Sequence, residues 1–326
     1  MARIDSLYCP FASSLHPDAA SAHERSVRWA RALGMLGSEQ DLRAAHKAKL
    51  GWLAARTFPT VTRQGLQLAA DATVLFFVLD DHIEKLGTAD EVAAYLEYLH
   101  HLLRSDITGS FEDPFAAGMI DLRQRLLALA TPVHFKHFVD RVGEVFEGNV
   151  AEARNRERAQ IPDVASYLPL REVTVGIHVM LSLVELLEEF TLADRIREHP
   201  ALRGLATRAS NIVGWANDLF TYEKEIIQGE IHNLVLVLMN ERQLTITEAV
   251  AETVALHDHE VVSFLQEVEQ IPSFGAADAS VQRYVEMLHC LIRGHLDWAY
   301  ETGRYRPFEE PAGPQVSRSA GTPAAA

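Results

Sequence analysis

The sequence predicts an all-α protein, and three observations lead there. From about residue 20 onward, apolar side chains recur at three- and four-residue spacing, as in Val27, Ala30, Leu33 and Leu36. Proline and glycine interrupt that pattern at short intervals, as helix boundaries do. No run alternates apolar and polar residues in the manner of a strand, and no repeat of ~34 residues is present.

Taken in order, residues 1–18 form an irregular, aromatic-containing arm with Pro10 and Pro17. A first helix follows from about residue 20, and a second spans about 38–57, stopping where Phe58-Pro59 discourages continuation. A third, about 60–85, is apolar on nearly all sides and therefore belongs in the middle of a bundle. Further helices are expected at about 88–104, 114–130, 132–158, 163–190, 201–228, 231–241, 245–270 and 278–302. Gly87, Pro114, Pro132, Pro162, Pro200, Gly229, Pro272 and Gly275 punctuate them. Asp113-Pro114 reads as a start, with Asp at the N-cap and Pro in the first helical position. The valines of Leu234–Met239 also suit a strand, but their helical neighbours favour helix. One domain of about ten to twelve helices, residues 1–310, precedes a low-complexity tail at 311–326 that is expected to be disordered.

Composition narrows the function. Two cysteines, Cys9 and Cys290, make neither a disulfide framework nor a metal spacing, which suits a reducing, cytoplasmic setting. The N-terminus lacks the pattern of a signal peptide, and no apolar stretch approaches the ~20 residues of a membrane span. A net charge of −15 argues against nucleic acid and against anionic membranes as partners. An anionic substrate would need metal ions and placed basic residues to bind so acidic a chain.

Two stretches carry the chemistry. The apolar run Val74–Leu79 stops at Asp80-Asp81-His82-Ile83-Glu84, which gathers three carboxylates at one helix end. Like charges at that spacing repel, and a helix C-terminus disfavours anions, so the arrangement calls for cations. Ligation of Mg2+ through one or two carboxylates plus substrate phosphates accounts for it. The second stretch lies 137 residues further on (217 − 80), where Asn217, Thr221 and Glu225 recur every four residues. In a helix they drift by about 40° per step and line one face with oxygen donors, the choice of a hard divalent cation. Lys224 stands beside that face and offers a positive charge to an anion held there. The fifteen histidines show no metal spacing, and His82 reads as a spacer.

These two motifs resemble the aspartate-rich and second metal motifs of class I terpene synthases. The first has Glu84 where many members have Asp, and the second has Thr221 where bacterial members more often have Ser. Tyr167-Leu168-Pro169-Leu170-Arg171 and Gly303-Arg304-Tyr305 extend the resemblance to residues 5–308 or so. It implies the class I helical bundle around a central cavity, with metal ligands Asp80, Glu84, Asn217, Thr221 and Glu225 for three Mg2+ ions. Asp81 is expected either to bind metal or to orient a neighbour such as an arginine. The resemblance further implies diphosphate contacts from Arg171, Lys224, Arg304 and Tyr305. Arg171, Thr174, Val175, Arg304 and Tyr305 form the catalytic group, with Thr174 and Val175 as linker and effector. Gly176 supplies a local break after Arg171.

The expected reaction ionises a linear prenyl diphosphate and cyclises the allylic carbocation. Farnesyl diphosphate is the favoured substrate, with geranylgeranyl diphosphate as the alternative. A chain-elongating prenyltransferase shares the fold but normally carries two Asp-rich motifs, and this chain has one. Phe76 and Phe77 lie a turn below Asp80, and Trp298 six residues before Arg304, so all three are expected to line the cavity, although one helix face does not easily hold both phenylalanines. Aromatic faces stabilise a desolvated cation by about 1–2 kcal/mol each without bonding to it. Trp52 and Phe58 are further lining candidates. A homodimer is the partner expectation the resemblance adds.

Overall fold

The computed structural model describes residues 7–188 and 190–305. Among them are fourteen α-helices, a 3-10 turn at Gly275–Ala277 and no strand. In chain order the helices are α1 (Ala19–Ala32), α2 (Glu39–Ala48), α3 (Leu50–Thr57), α4 (Arg63–Ile83), α5 (Ala89–Arg104), α6 (Pro114–Leu129) and α7 (Pro132–Glu157). They continue as α8 (Val164–Thr174), α9 (Ile177–Leu187), α10 (Asp194–Arg197), α11 (Pro200–Gln228), α12 (Leu234–Arg242), α13 (Ile246–Glu269) and α14 (Asp278–Glu301). The tail expected at 311–326, and residues 306–310 before it, lie outside the described residues.

The all-α reading holds, and the helix at Leu234 is among those expected. Two expected helices are divided. The 38–57 helix breaks at Lys49, which adopts a left-handed backbone (φ 50) without being glycine. The 163–190 helix breaks after Val175 at Gly176, whose φ of 76 is one that glycine reaches without strain. With each pair counted as one bent helix and the four-residue α10 set aside, eleven helices remain.

Local chemistry fixes most starts. Ser38 with Asp41, Thr88 with Glu91 and Thr245 with Glu248 form reciprocal capping boxes on α2, α5 and α13. Asp113 caps α6 by accepting from the Phe115 N–H, with Pro114 in the first turn. Such caps contribute roughly 1 kcal/mol each.

Packing then places α4 at the centre, against α1, α3 and α6. Leu66, Leu68, Ala69, Ala70, Ala72, Val74 and Leu75 are buried all around its axis. The long α11 packs on α13 and α14 and touches α8 and α12, while α7 lies along α5 and α9. The α3–α14 contact is close because Gly294 has no side chain: a Cβ there would come within 2.8 Å of the Arg56 carbonyl carbon. Ahead of α1, the N-terminal arm is pinned by Phe11, which stacks on His289 with ring centroids 4.5 Å apart. Among the described residues no helix is long and apolar enough to cross a membrane.

Candidate active site

Helices α4 and α11 bring the two chemistry-bearing stretches to one cavity. Asp80, near the C-terminal end of α4, and Asn217, in the middle of α11, both line it. The cavity holds about 1150 Å3, counting the space open to solvent at its mouth. Its remaining wall comes mainly from apolar side chains of α3, α4, α7, α9 and α14, with Arg171, Thr174, Val175 and Gly176 at the α8–α9 bend. Polar groups therefore stand at one end and hydrocarbon at the other.

The hub of the polar end is a residue the sequence reading passed over. Asp218, 1% exposed, accepts from the Tyr167 hydroxyl, from Arg171 (Nε, 3.1 Å; Nη2, 2.9 Å) and from the Leu234 N–H at 3.0 Å. One carboxylate thus ties α8, α11 and α12 together. Its neighbour Asn217 accepts from Arg171 Nη2 at 2.7 Å and donates to the Tyr305 hydroxyl at 2.7 Å. Further along α11, Thr221 donates to the Asn217 carbonyl (2.9 Å), and Asn233 donates to Glu225 (2.8 Å). Asn233 is fully buried and also caps α12, accepting from the Val235 N–H.

Across the mouth, Arg304 makes a bidentate pair with Asp81, at 2.8 and 2.6 Å. Asp81 thus anchors an arginine. The Arg304 guanidinium also lies over the Phe77 ring, 5.3 Å from its centroid. Burial alone would lower the pKa of Arg304, but Asp81 outweighs it and holds the charge in place. Arg171 behaves alike, with Asp218 outweighing burial. Lys224 borders a neighbouring cleft with Asp81, Lys85 and Arg304. His82 packs against Phe115 and Tyr95, ring centroids 4.8 and 5.5 Å away.

The carboxylates left over are short of positive charge. Asp80 reaches solvent at the cavity mouth, yet surrounding protein, the Glu152 carboxylate and Asp81 push its pKa up to about 6. Glu84, which caps the end of α4, is pushed up to about 7 by desolvation, Asp80 and Asp81. Glu225 is also pushed up to about 7, by burial and then by Asp218. Glu230 goes the other way, down to about 2, because His232, Arg156 and backbone N–H groups outweigh its burial. A raised carboxylate in a hydrophilic mouth marks a place where a cation would be welcome.

The donor set fits Mg2+. It consists of carboxylate, amide and hydroxyl oxygens, which hard cations prefer. Among the described residues, no three carboxylates at this mouth bring their oxygens within 4.8 Å of one another; the one His/Cys/Asp/Glu group that does so is elsewhere. An ion here would complete its shell with water and substrate oxygens, as Mg2+ commonly does.

The apolar end both supports and corrects the sequence reading. Phe76 and Phe77 both line the cavity, because the wall wraps around more than one face of α4, and Phe58 lines it too. Trp298 does not. It is fully buried behind Phe77, at 5.8 Å between ring centroids, and its indole donates to the Ala48 carbonyl at 2.8 Å. The six-residue count to Arg304 misled because α14 ends at Glu301 and the chain turns away from the helix axis. Trp52 is likewise absent from the lining and lies under Lys49. A residue the sequence reading missed, His295, does face the cavity; burial holds its pKa down at about 3, so its imidazole is neutral.

Comparison with known proteins agrees with this arrangement. Residues 71–262 match the profile described as terpene synthase family 2, C-terminal metal binding. Germacrene A synthase of Nostoc punctiforme is 31% identical over 308 residues, covering 93% of this chain and 95% of that protein. (+)-Eremophilene synthase of Sorangium cellulosum is 30% identical over 304 residues, with 92% of each chain covered. Among solved structures, linalool/nerolidol synthase from Streptomyces clavuligerus, in complex with 2-fluorogeranyl diphosphate, superposes with a TM-score of 0.82. That match has 25% identity and covers 92% of this chain and 100% of the other.

Proposed function

The chain belongs to the terpene synthase family, and from that premise we propose that it is a Mg2+-dependent cyclase converting farnesyl diphosphate to a cyclic sesquiterpene. The observation that carries the reading is the make-up of one cavity, in which Asp80, Arg171 and Asn217 share the lining with Phe58, Phe76, Phe77, Val179 and Met180. The named relatives that make germacrene A and (+)-eremophilene favour a sesquiterpene product.

In this reading Asp80 and Glu84 at the end of α4, and Asn217, Thr221 and Glu225 on α11, would hold three Mg2+ ions. When bound, those ions neutralise charge that develops on the diphosphate as the carbon–oxygen bond breaks. Arg171, Lys224, Arg304 and Tyr305 take further diphosphate oxygens. Arg171 is fixed for this by Asp218 and Asn217, and Tyr305 by Asn217, so little reorganisation is left for the moment of reaction. Thr174 and Val175 stand at the helix break, where both line the cavity and the Thr174 hydroxyl is buried without a partner. Below them, Phe76 and Phe77 face the carbocation and exclude water. The whole reaction sits in a single domain, residues 1–310, working in the cytoplasm, with a homodimer as the assembly to look for.

Single-substrate incubations test the proposal. Purified protein with Mg2+ and farnesyl diphosphate should give a cyclic hydrocarbon or alcohol by gas chromatography–mass spectrometry. Product from geranylgeranyl diphosphate alone would move the assignment to diterpenes. Product only on addition of isopentenyl diphosphate would make the chain an elongating enzyme and overturn the cyclase reading.

A further inference from the structure

Helices α1 and α2 bring together three side chains that play no part in the cavity just described. His23 and Glu24 lie on α1 and His46 on α2, each offering a ligand atom, and these atoms all fall within 4.8 Å of one another. His46 Nδ1 and Glu24 Oε1 are 3.5 Å apart. The two imidazoles meet edge to face, with centroids 5.8 Å apart and planes at 80°. None of the three lines the cavity with Asp80 and Asn217 or the neighbouring cleft with Lys224.

His23 supplies a second, independent observation. It is only 5% exposed, and both of its ring nitrogens are buried without a hydrogen-bond partner. Leaving such a group unpaired is costly, so an unpartnered imidazole within a ligand cluster points to a missing ligand. Its position is rigid: Gly51 of α3 lies so close that a Cβ there would come within 2.5 Å of the His23 Cα. Glu24 and His46 are half exposed and leave an approach from solvent.

We propose that His23, Glu24 and His46 form a binding site for a borderline transition-metal ion of the Zn2+ type, separate from the Mg2+ sites of the cavity. Two imidazoles and one carboxylate are a donor set suited to Zn2+ and unlike the all-oxygen set of the cavity mouth. Ligand atoms about 2.0–2.1 Å from a shared ion in tetrahedral geometry lie roughly 3.4 Å from each other, a small contraction from the observed cluster. Water fills the fourth position. The ion would clamp α1 to α2, whose last turn anchors the segment carrying Arg304 and Tyr305. The Lys47 carbonyl there accepts from the Gly303 N–H (2.9 Å), and the Ala48 carbonyl accepts from the Thr302 hydroxyl (2.9 Å).

Equilibrium dialysis of the full-length protein against Zn2+ tests the site, with excess Mg2+ present to occupy the oxygen-rich mouth and bound metal counted by mass spectrometry. Wild type should hold about one Zn2+ per chain, and His46→Ala should weaken that binding by at least about tenfold. His46 is exposed, so this variant keeps the fold; His23→Gln and Glu24→Ala should behave alike. Co2+ supplies a second readout, since a tetrahedral site with imidazole ligands gives visible d–d absorption that an octahedral oxygen site gives only weakly. That absorption should vanish in His46→Ala. Wild type without bound Zn2+, or His46→Ala with wild-type Zn2+ affinity and Co2+ spectrum, would overturn the proposal.

Discussion

Replacing Asp218 by Asn tests whether the polar end of the cavity is held by one buried carboxylate. The substitution conserves shape but removes a charge and turns one acceptor into a donor. In the wild type one oxygen accepts from Tyr167 and Leu234 while the other accepts from Arg171. An Asn amide must set its NH2 against one of those groups. The Leu234 N–H cannot turn away, and Arg171, with a side chain 15% exposed, would lose the only carboxylate it is paired with among the described residues. Removing one partner of a buried ion pair costs about 3–5 kcal/mol. Against a total stability of roughly 5–15 kcal/mol, that is a large fraction. Urea denaturation followed by circular dichroism should show the midpoint falling with the slope unchanged. Turnover should fall as well, because Arg171 would no longer be fixed toward Asn217. A loss below about 1 kcal/mol, the value of an ordinary hydrogen bond, would refute the view of Asp218 as the hub.

Other expectations concern protons, helix packing and the arginine clamp. Asp80, Glu84 and Glu225 have folded pKa values raised to about 6, 7 and 7, so the metal-free fold holds more protons than the unfolded chain between about pH 4 and 7 and loses stability as pH rises through that window. Mg2+ needs the ionised forms, so its stabilisation of the melting temperature should be larger at pH 8 than at pH 6; a larger shift at pH 6 would contradict this. Gly148→Ala would place a Cβ 2.7 Å from Thr174 Cγ2, beside the α8–α9 bend. It should cost about 1–3 kcal/mol by thermal melting and alter the product ratio, and unchanged values of both would count against the packing described. Arg304→Lys loses the two-point contact with Asp81 and should lower kcat/KM by roughly 10- to 100-fold with little change in melting temperature. Wild-type kcat/KM would remove Arg304 from the diphosphate site.

Much of this was legible in the sequence, for physical reasons. Helices announce themselves through spacing and caps, and the two metal motifs are local patterns on single helices, so both could be read one segment at a time. Gly176 could be read as a break because glycine is the residue that takes a positive φ cheaply. Lys49 could not, since a lysine in that conformation is held there by its surroundings. Asp218 was missed because its partners come from residues 167, 171 and 234, and only folding makes them neighbours. Glu152 presses on Asp80 from another helix, with no trace in the spacing of either. Trp298 was misplaced for the converse reason: its distance from Arg304 was counted along a helix that had already ended. His23 and His46 show the same limit, as they share no motif and meet only because α1 packs on α2.

Whether α4 and α11 act together through metal ions is tested most directly by a paired rate measurement. Glu225→Gln keeps an acceptor for Asn233 while removing the charge, and Asn217→Ala removes an oxygen donor from the same face. Diphosphate release from farnesyl diphosphate with Mg2+ should fall by more than about a hundredfold in each, with the helical circular dichroism signal retained. Turnover at the wild-type rate in either variant would contradict that joint action.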